Sequence, residues 1–164
     1  ECRQSPGLVA PAGRAQGVGD RQGTGLPQGI AGDLGLAKPR TGLRGALEQA
    51  WAALSVSHGV QAGCVVSAVG SLHGAVLRFA AEPAGTVVAG PLELLSLAGT
   101  FSTSGPHLHA SVARADGSVC GGHLLPGCTV RTTAEVVLAL LPGWRFTRAP
   151  EAATGFMELV VGRV

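Results

Sequence analysis

Gly105-Pro106-His107-Leu108-His109-Ala110-Ser111-Val112, followed beyond Asp116-Gly117 by Cys120-Gly121-Gly122-His123-Leu124, reads as a β-hairpin whose arms carry three imidazoles. Side chains two apart on a strand share a face, so His107 and His109 stand side by side. Asp116-Gly117 is the best hairpin turn of the chain; folding there lays the second arm beside the first and brings His123 towards the pair. Gly121 and Gly122 leave room for close backbone approach. Three neutral imidazoles suit zinc or another divalent metal, and three protein ligands leave a position open for water or substrate. The plainer alternative is a set of half-buried polar side chains satisfied by backbone or water. The convergence of a His-x-His arm with a Gly-Gly-His arm favours the metal.

Outward from this hairpin, short runs rich in Val, Leu and Phe continue the β pattern over 62–69, 75–80, 86–88, 92–98, 108–113, 120–124, 128–130 and 156–161. Gly70-Ser71, Glu82-Pro83, Gly90-Pro91, Gly105-Pro106, Asp116-Gly117 and Pro126-Gly127 punctuate them at strand-like spacing, which predicts mostly antiparallel neighbours. Residues 134–141 fit helix or strand; the β-branched Val136 and Val137 and the early stop at Pro142-Gly143 favour a strand. On the N-terminal side, Leu43, Leu47, Ala50, Trp51 and Leu54 recur at helical spacing. Glu48 lies in an early turn and His58-Gly59 supplies a stop, so a helix is predicted over about 42–57. The fold class is α+β: a mainly antiparallel β-sheet with few helices, and no internal repeat.

The 164 residues suit one domain, placed at 34–164. Residues 1–33 scatter Gly, Pro, Gln and Arg with little apolar periodicity and read as a flexible tail; Gly17, Gly19 and Gly23 lack the spacing and preceding strand of a nucleotide loop. Hydrophobic residues make up 46% of the chain and charged ones 13%, which excludes a highly charged disordered protein. No apolar run approaches the ~18 residues of a membrane helix, so a soluble protein without a membrane partner is expected. Residues 1–45 hold Arg3, Arg14, Arg21, Lys38, Arg40 and Arg44 against Glu1, Asp20 and Asp33, whereas 46–164 hold six basic and seven acidic groups. Such a balance argues against a strong phosphate-binding face on the folded part. Cys2, Cys64, Cys120 and Cys128 form no Cys-x-x-Cys pair and no secretory leader is visible, which suits a reducing compartment, cytoplasmic or nuclear.

Glu93 and Glu135 lie in otherwise apolar runs, where an unpaired carboxylate is costly, so each is expected to have a partner. That partner is a metal-ligating histidine, a proton-transfer role as a candidate catalytic group, or an arginine such as Arg131 in a structural pair. His58, at a helix end, and His73, near a turn, have no close partner in sequence, and Cys120 and Cys128 read as small buried hydrophobes. No Ser/His/Asp order or nucleophile elbow is present.

Gly63-Cys64-Val65-Val66-Ser67-Ala68-Val69-Gly70-Ser71-Leu72, Leu92-Glu93-Leu94-Leu95-Ser96-Leu97-Ala98-Gly99-Thr100-Phe101, Pro106-His107-Leu108-His109 and Gly121-Gly122-His123-Leu124-Leu125 together resemble the plant and prokaryote conserved (PPC) domain in order and spacing. The resemblance covers about 34–161 and implies an α+β, mainly antiparallel fold assembled as a homotrimer. It also implies a first strand before the helix, for which 34–37 is the best candidate. Bacterial-type members are often labelled DNA-binding, and their histidine cluster falls on His107, His109 and His123. The AT-hook of plant members is absent; Lys38-Pro39-Arg40-Thr41-Gly42-Leu43-Arg44-Gly45 is only a loose basic echo. The histidine arrangement is also similar to that of acetolactate decarboxylase, a three-histidine zinc enzyme with a shorter gap before the third histidine. Two functions follow as expectations: a metal-dependent protein, enzymatic in an unspecified reaction, or a DNA-binding or regulatory protein whose affinity is weak and salt-sensitive. Leu94, Leu95, Leu97 and Phe101 form an apolar block too dense for one exposed edge, which predicts that some of this surface is buried between subunits.

Overall fold

A computed structural model describes residues 42–164. Helix α1 (Gly42–His58) is followed by strands β1 (Gly63–Arg78), β2 (Thr86–Ser102), β3 (Gly105–Ala113), β4 (Val119–Leu124), β5 (Thr129–Leu140), β6 (Trp144–Pro150) and β7 (Met157–Arg163). The expected tail over 1–33 and first strand over 34–37 lie outside the described residues. The α+β class holds, and no helix among the described residues is long and apolar enough to cross a membrane.

The helix follows from the spacing that predicts it. Leu43, Leu47 and Trp51 fall on one face and are buried, while Arg44 and Glu48, one turn apart at the edge of that face, form an ion pair at 2.9 Å. Gly59, at φ +62°, takes the left-handed conformation that ends a helix without a Cβ penalty. The buried face packs on the sheet, where the Trp51 ring lies 5.3 Å from that of Phe101 and its indole N–H donates to the Ser102 carbonyl.

β1 organises the sheet. One of its edges pairs with β2 from Gly63 to Leu77; the other pairs with β5 as far as Gly74 and then with β4 at Leu77 and Arg78. Because β2 also pairs with β3, and β3 with β4, strands β1 to β4 form a closed cycle of antiparallel neighbours. Closure leaves those four strands an inner face, filled by Leu72, Leu77, Leu94, Phe101, Leu108 and Val112 among others, and an outer one. The β6–β7 hairpin forms a separate two-stranded sheet tied to the rest through the Phe146 N–H to the Gln61 carbonyl and the Thr103 N–H to the Phe146 carbonyl.

Three expectations need correction. Gly70-Ser71 and Gly90-Pro91 are not turns: β1 and β2 run through them, so four predicted short strands are two long ones. A Cβ on Gly70 would lie 2.6 Å from the Thr133 carbonyl oxygen, so this glycine admits the neighbouring strand β5 rather than reversing the chain. The density of the apolar block of β2 is explained within the chain: Leu94, Leu97 and Phe101 are buried in its own core, and of the four only Leu95, 50% exposed, is left to a subunit contact. Residues 134–141 are strand as expected, but as part of a longer β5, and β6 went unpredicted.

Candidate metal centre

His107 and His109 project from β3 and His123 from β4. The turn between these strands is closed by the Asp116 carboxylate, which accepts from the Ser118 N–H at 2.9 Å, and by Gly117 at φ +81°. This turn puts His109 directly opposite His123 in the ladder. His123 in turn faces Arg78 at the end of β1, and His109 faces Ala98 of β2. One cross-strand row therefore reads Ala98, His109, His123, Arg78, and His107 stands beside it on the face of β3 opposite the buried Leu108, Ala110 and Val112. The close approach expected at the two glycines is present: a Cβ on Gly121 would lie 2.8 Å from the Ala110 carbonyl oxygen and one on Gly122 2.5 Å from that of Arg78.

The rings of His107 and His109 stack with centroids 5.2 Å apart, and His123 meets them edge-on at 4.9 and 5.2 Å. Nε2 of His107 is 3.1 Å from Nε2 of His109, and one nitrogen from each ring lies within 4.8 Å of the other two. Tetrahedral zinc with Zn–N bonds of ~2.1 Å holds its nitrogens about 3.4 Å apart, so modest side-chain rotation brings this set to coordinating distance. Nδ1 of His123 is buried without a hydrogen-bond partner. A buried, unpaired imidazole nitrogen is costly, and a ligand that met it would relieve that cost. The donor set thus fits a divalent metal in both chemistry and spacing.

The surroundings hold His107 and His123 neutral. Burial first, then the neighbouring His107, His109 and Arg78, push His123 down to about 4. Burial also lowers His107, helped by Arg148 and His109 and opposed by Glu158. At neutral pH both imidazoles hold lone pairs ready for a cation.

Glu93 and Glu135 are not brought to the histidines. Glu93 pairs with Ala113, four residues along β3 from His109 and so about 13 Å away at ~3.3 Å per residue, and Glu135 pairs with Val69 of β1. Both are exposed by the alternation of their strands, which removes the need for a buried partner; among the described residues the ion pair formed is Arg44–Glu48, not one with Arg131. The charged groups beside the histidines are instead Arg78, Arg148 and Glu158, which share a cavity with His107 and His123. Sequence reasoning missed all three, because they come from β1, β6 and β7 and no local spacing links them to the hairpin. Cys128 is buried, as expected, and its thiol is pushed up by burial.

Residues 49–142 match the Plants and Prokaryotes Conserved (PCC) domain. The chain belongs to this family. The matched segment of the PCC domain contains all three histidines, whereas β6 and β7 lie beyond it. A Salmonella cholerae-suis protein of known structure is 34% identical, with a TM-score of 0.68 over 83% of this chain and 96% of its own. A structure from Archaeoglobus fulgidus, described as a metal-containing protein, is 26% identical, with a TM-score of 0.63 over 84% of this chain and 99% of its own. The bifunctional protein GlmU of Synechococcus is 48% identical over 113 residues, 69% of this chain but 18% of the GlmU sequence. The chain therefore spans less than a fifth of the length of the curated relatives it matches.

The neutral histidines give the metal-free PCC domain a defined pH response. An unfolded His123 takes up its proton near 6.5 and the folded one only near 4, so between these values the unfolded state binds more protons and stability falls as pH falls. His107 acts in the same direction. Above pH ~6.5 neither contributes. Thermal unfolding of chelator-treated protein is expected to show a Tm that declines from pH 6.5 to 4.5, and His123→Gln a shallower decline; parallel pH profiles would overturn the assignment.

Proposed function

We propose that His107, His109 and His123 hold a divalent metal, with zinc the first candidate, and that the protein acts through this centre. The observation that carries the reading is the convergence of His107, His109 and His123, one nitrogen of each lying within 4.8 Å of the others, and the buried, unpartnered Nδ1 of the His123 ring adds to it. The metal-containing relative supports it. A metal on three protein ligands supplies Lewis acidity and a lowered pKa for bound water. The chain's own residues support that position: the β3–β4 ladder sets His109 opposite His123, and burial keeps His107 and His123 unprotonated. Glu158, on the cavity shared with His107 and His123, is better placed to move a proton than Glu93 or Glu135. Elemental analysis of protein purified without chelator is expected to find about one divalent ion per chain; content below a tenth of that, with no uptake on dialysis against zinc, overturns the reading.

The same proposal includes a homotrimer. A closed ring needs two different complementary patches on each copy. Two apolar candidates are exposed: Val66, Val69, Leu95 and Val137 on the outside of β1, β2 and β5, and Leu159, Val160 and Val161 along β7. Light scattering is expected to give three chain masses; a stable monomer at micromolar concentration defeats the trimer. DNA binding, the second expectation, is weak at most in this reading. Residues 42–164 hold Arg44, Arg78, Arg114, Arg131, Arg145, Arg148 and Arg163 against Glu48, Glu82, Glu93, Asp116, Glu135, Glu151 and Glu158, so there is no net charge to release counterions from a phosphate backbone. A cytoplasmic or nuclear location belongs to the same reading.

A further inference from the structure

We propose that the cavity beside the three histidines receives a small molecule with an oxyanion head, a carboxylate or a phosphate, and a short apolar body. The proposal rests on the metal reading, since the head would meet the ion on one side and two guanidinium groups on the other. Arg78 is the direct cross-strand partner of His123, which puts their Cβ atoms about 5 Å apart. Arg148 reaches the same cavity from β6, held by a hydrogen bond from its guanidinium to the Met157 carbonyl at 2.9 Å. That bond uses one of the five N–H donors of Arg148.

Among the described residues neither guanidinium is in an ion pair, so both positive charges stay available to a ligand. Among the described residues Glu158 is the one carboxylate on the cavity, against the two guanidiniums of Arg78 and Arg148. The Glu158 carboxylate also accepts from the Thr154 hydroxyl at 3.1 Å, a contact that draws it towards the hairpin tip. Phe156 and Met157, 72% and 51% exposed, supply an apolar wall, and the cavity of about 840 Å³ is within the range of small-ligand sites. Arginine forks match the geometry of carboxylates and phosphates, and apolar surface beside them rewards a ligand that is more than a bare ion. Arg148, Phe156, Met157 and Glu158 lie beyond the segment that matches the family, so recognition is assigned here to a wall that the matched segment does not contain.

The test uses the full chain loaded with Co(II), whose visible absorption reports its coordination, titrated with butanoate, inorganic phosphate and butylammonium. Saturable spectral change is expected with at least one of the anions and none with butylammonium, and the tighter anion identifies the head. Arg78→Gln and Arg148→Gln are each expected to weaken that binding by about fivefold or more while cobalt content stays unchanged. Equal response to the cation, no response to either anion, or unaltered affinity in both variants overturns the proposal. Failure to take up Co(II) instead removes the metal reading. Calorimetry of the metal-free chain with the same anions then decides the arginine site separately: heat lost in Arg78→Gln retains it, and no heat in the unsubstituted chain overturns it.

Discussion

His123→Ala is expected to lower the divalent-metal content of the purified protein from about one ion per chain to below a tenth, with affinity reduced by more than about 100-fold. His123 is the histidine that completes the set: it sits edge-on to both stacked rings and carries the buried, unpartnered nitrogen. Without it, His107 and His109 remain a two-ligand site on an exposed strand face, where water competes for the ion. His109→Ala removes a more exposed ring and is expected to retain somewhat more metal at equal zinc. Elemental analysis of the variants beside the unsubstituted protein reads the effect, with circular dichroism to show that the sheet survives. The same metal content in all three removes the three-histidine centre.

The clustering of the three histidines was legible in the sequence because everything that builds it is local. A turn at Asp116-Gly117 fixes the pairing of β3 with β4, and that pairing alone places His109 opposite His123. Its surroundings were not legible for the opposite reason. Arg78 joins the row only because β1 curls far enough to pair with β4 after leaving β5, a closure set by the whole sheet. Glycine and proline misled where they usually inform. Gly70 and Gly90 lie where backbone crowds the space that a Cβ would fill, so they mark close approach within long strands. The acids Glu93 and Glu135 misled through composition: an apolar run suggested burial, but alternate residues of a strand face opposite ways, and the buried Leu92 and Leu94 leave Glu93 outside.

Close approach also sets the second large effect, Gly99→Ala. Gly99 pairs with Leu108, between the His107 and His109 positions on β3, at φ +144°. A Cβ there would run into the carbonyl oxygen of His107, a backbone atom that cannot swing aside as a side chain would. Relief requires β2 and β3 to separate locally, and Leu108, fully buried between the two histidines, would move with them. The expected cost is about 2–4 kcal/mol, combining an unfavourable φ with the clash, and a fall in Tm of roughly 10 °C or more. Gly155→Ala separates the two contributions. Its φ of +73° is also left-handed, but no atom lies within 4 Å of its new Cβ, so conformational strain alone, about 1 kcal/mol, is expected. Metal affinity should follow the same division, falling in Gly99→Ala because the His107 backbone is displaced and holding in Gly155→Ala. Equal Tm values for the two variants would show that β2 and β3 yield without cost at Gly99, and that the position of His107 does not depend on this glycine.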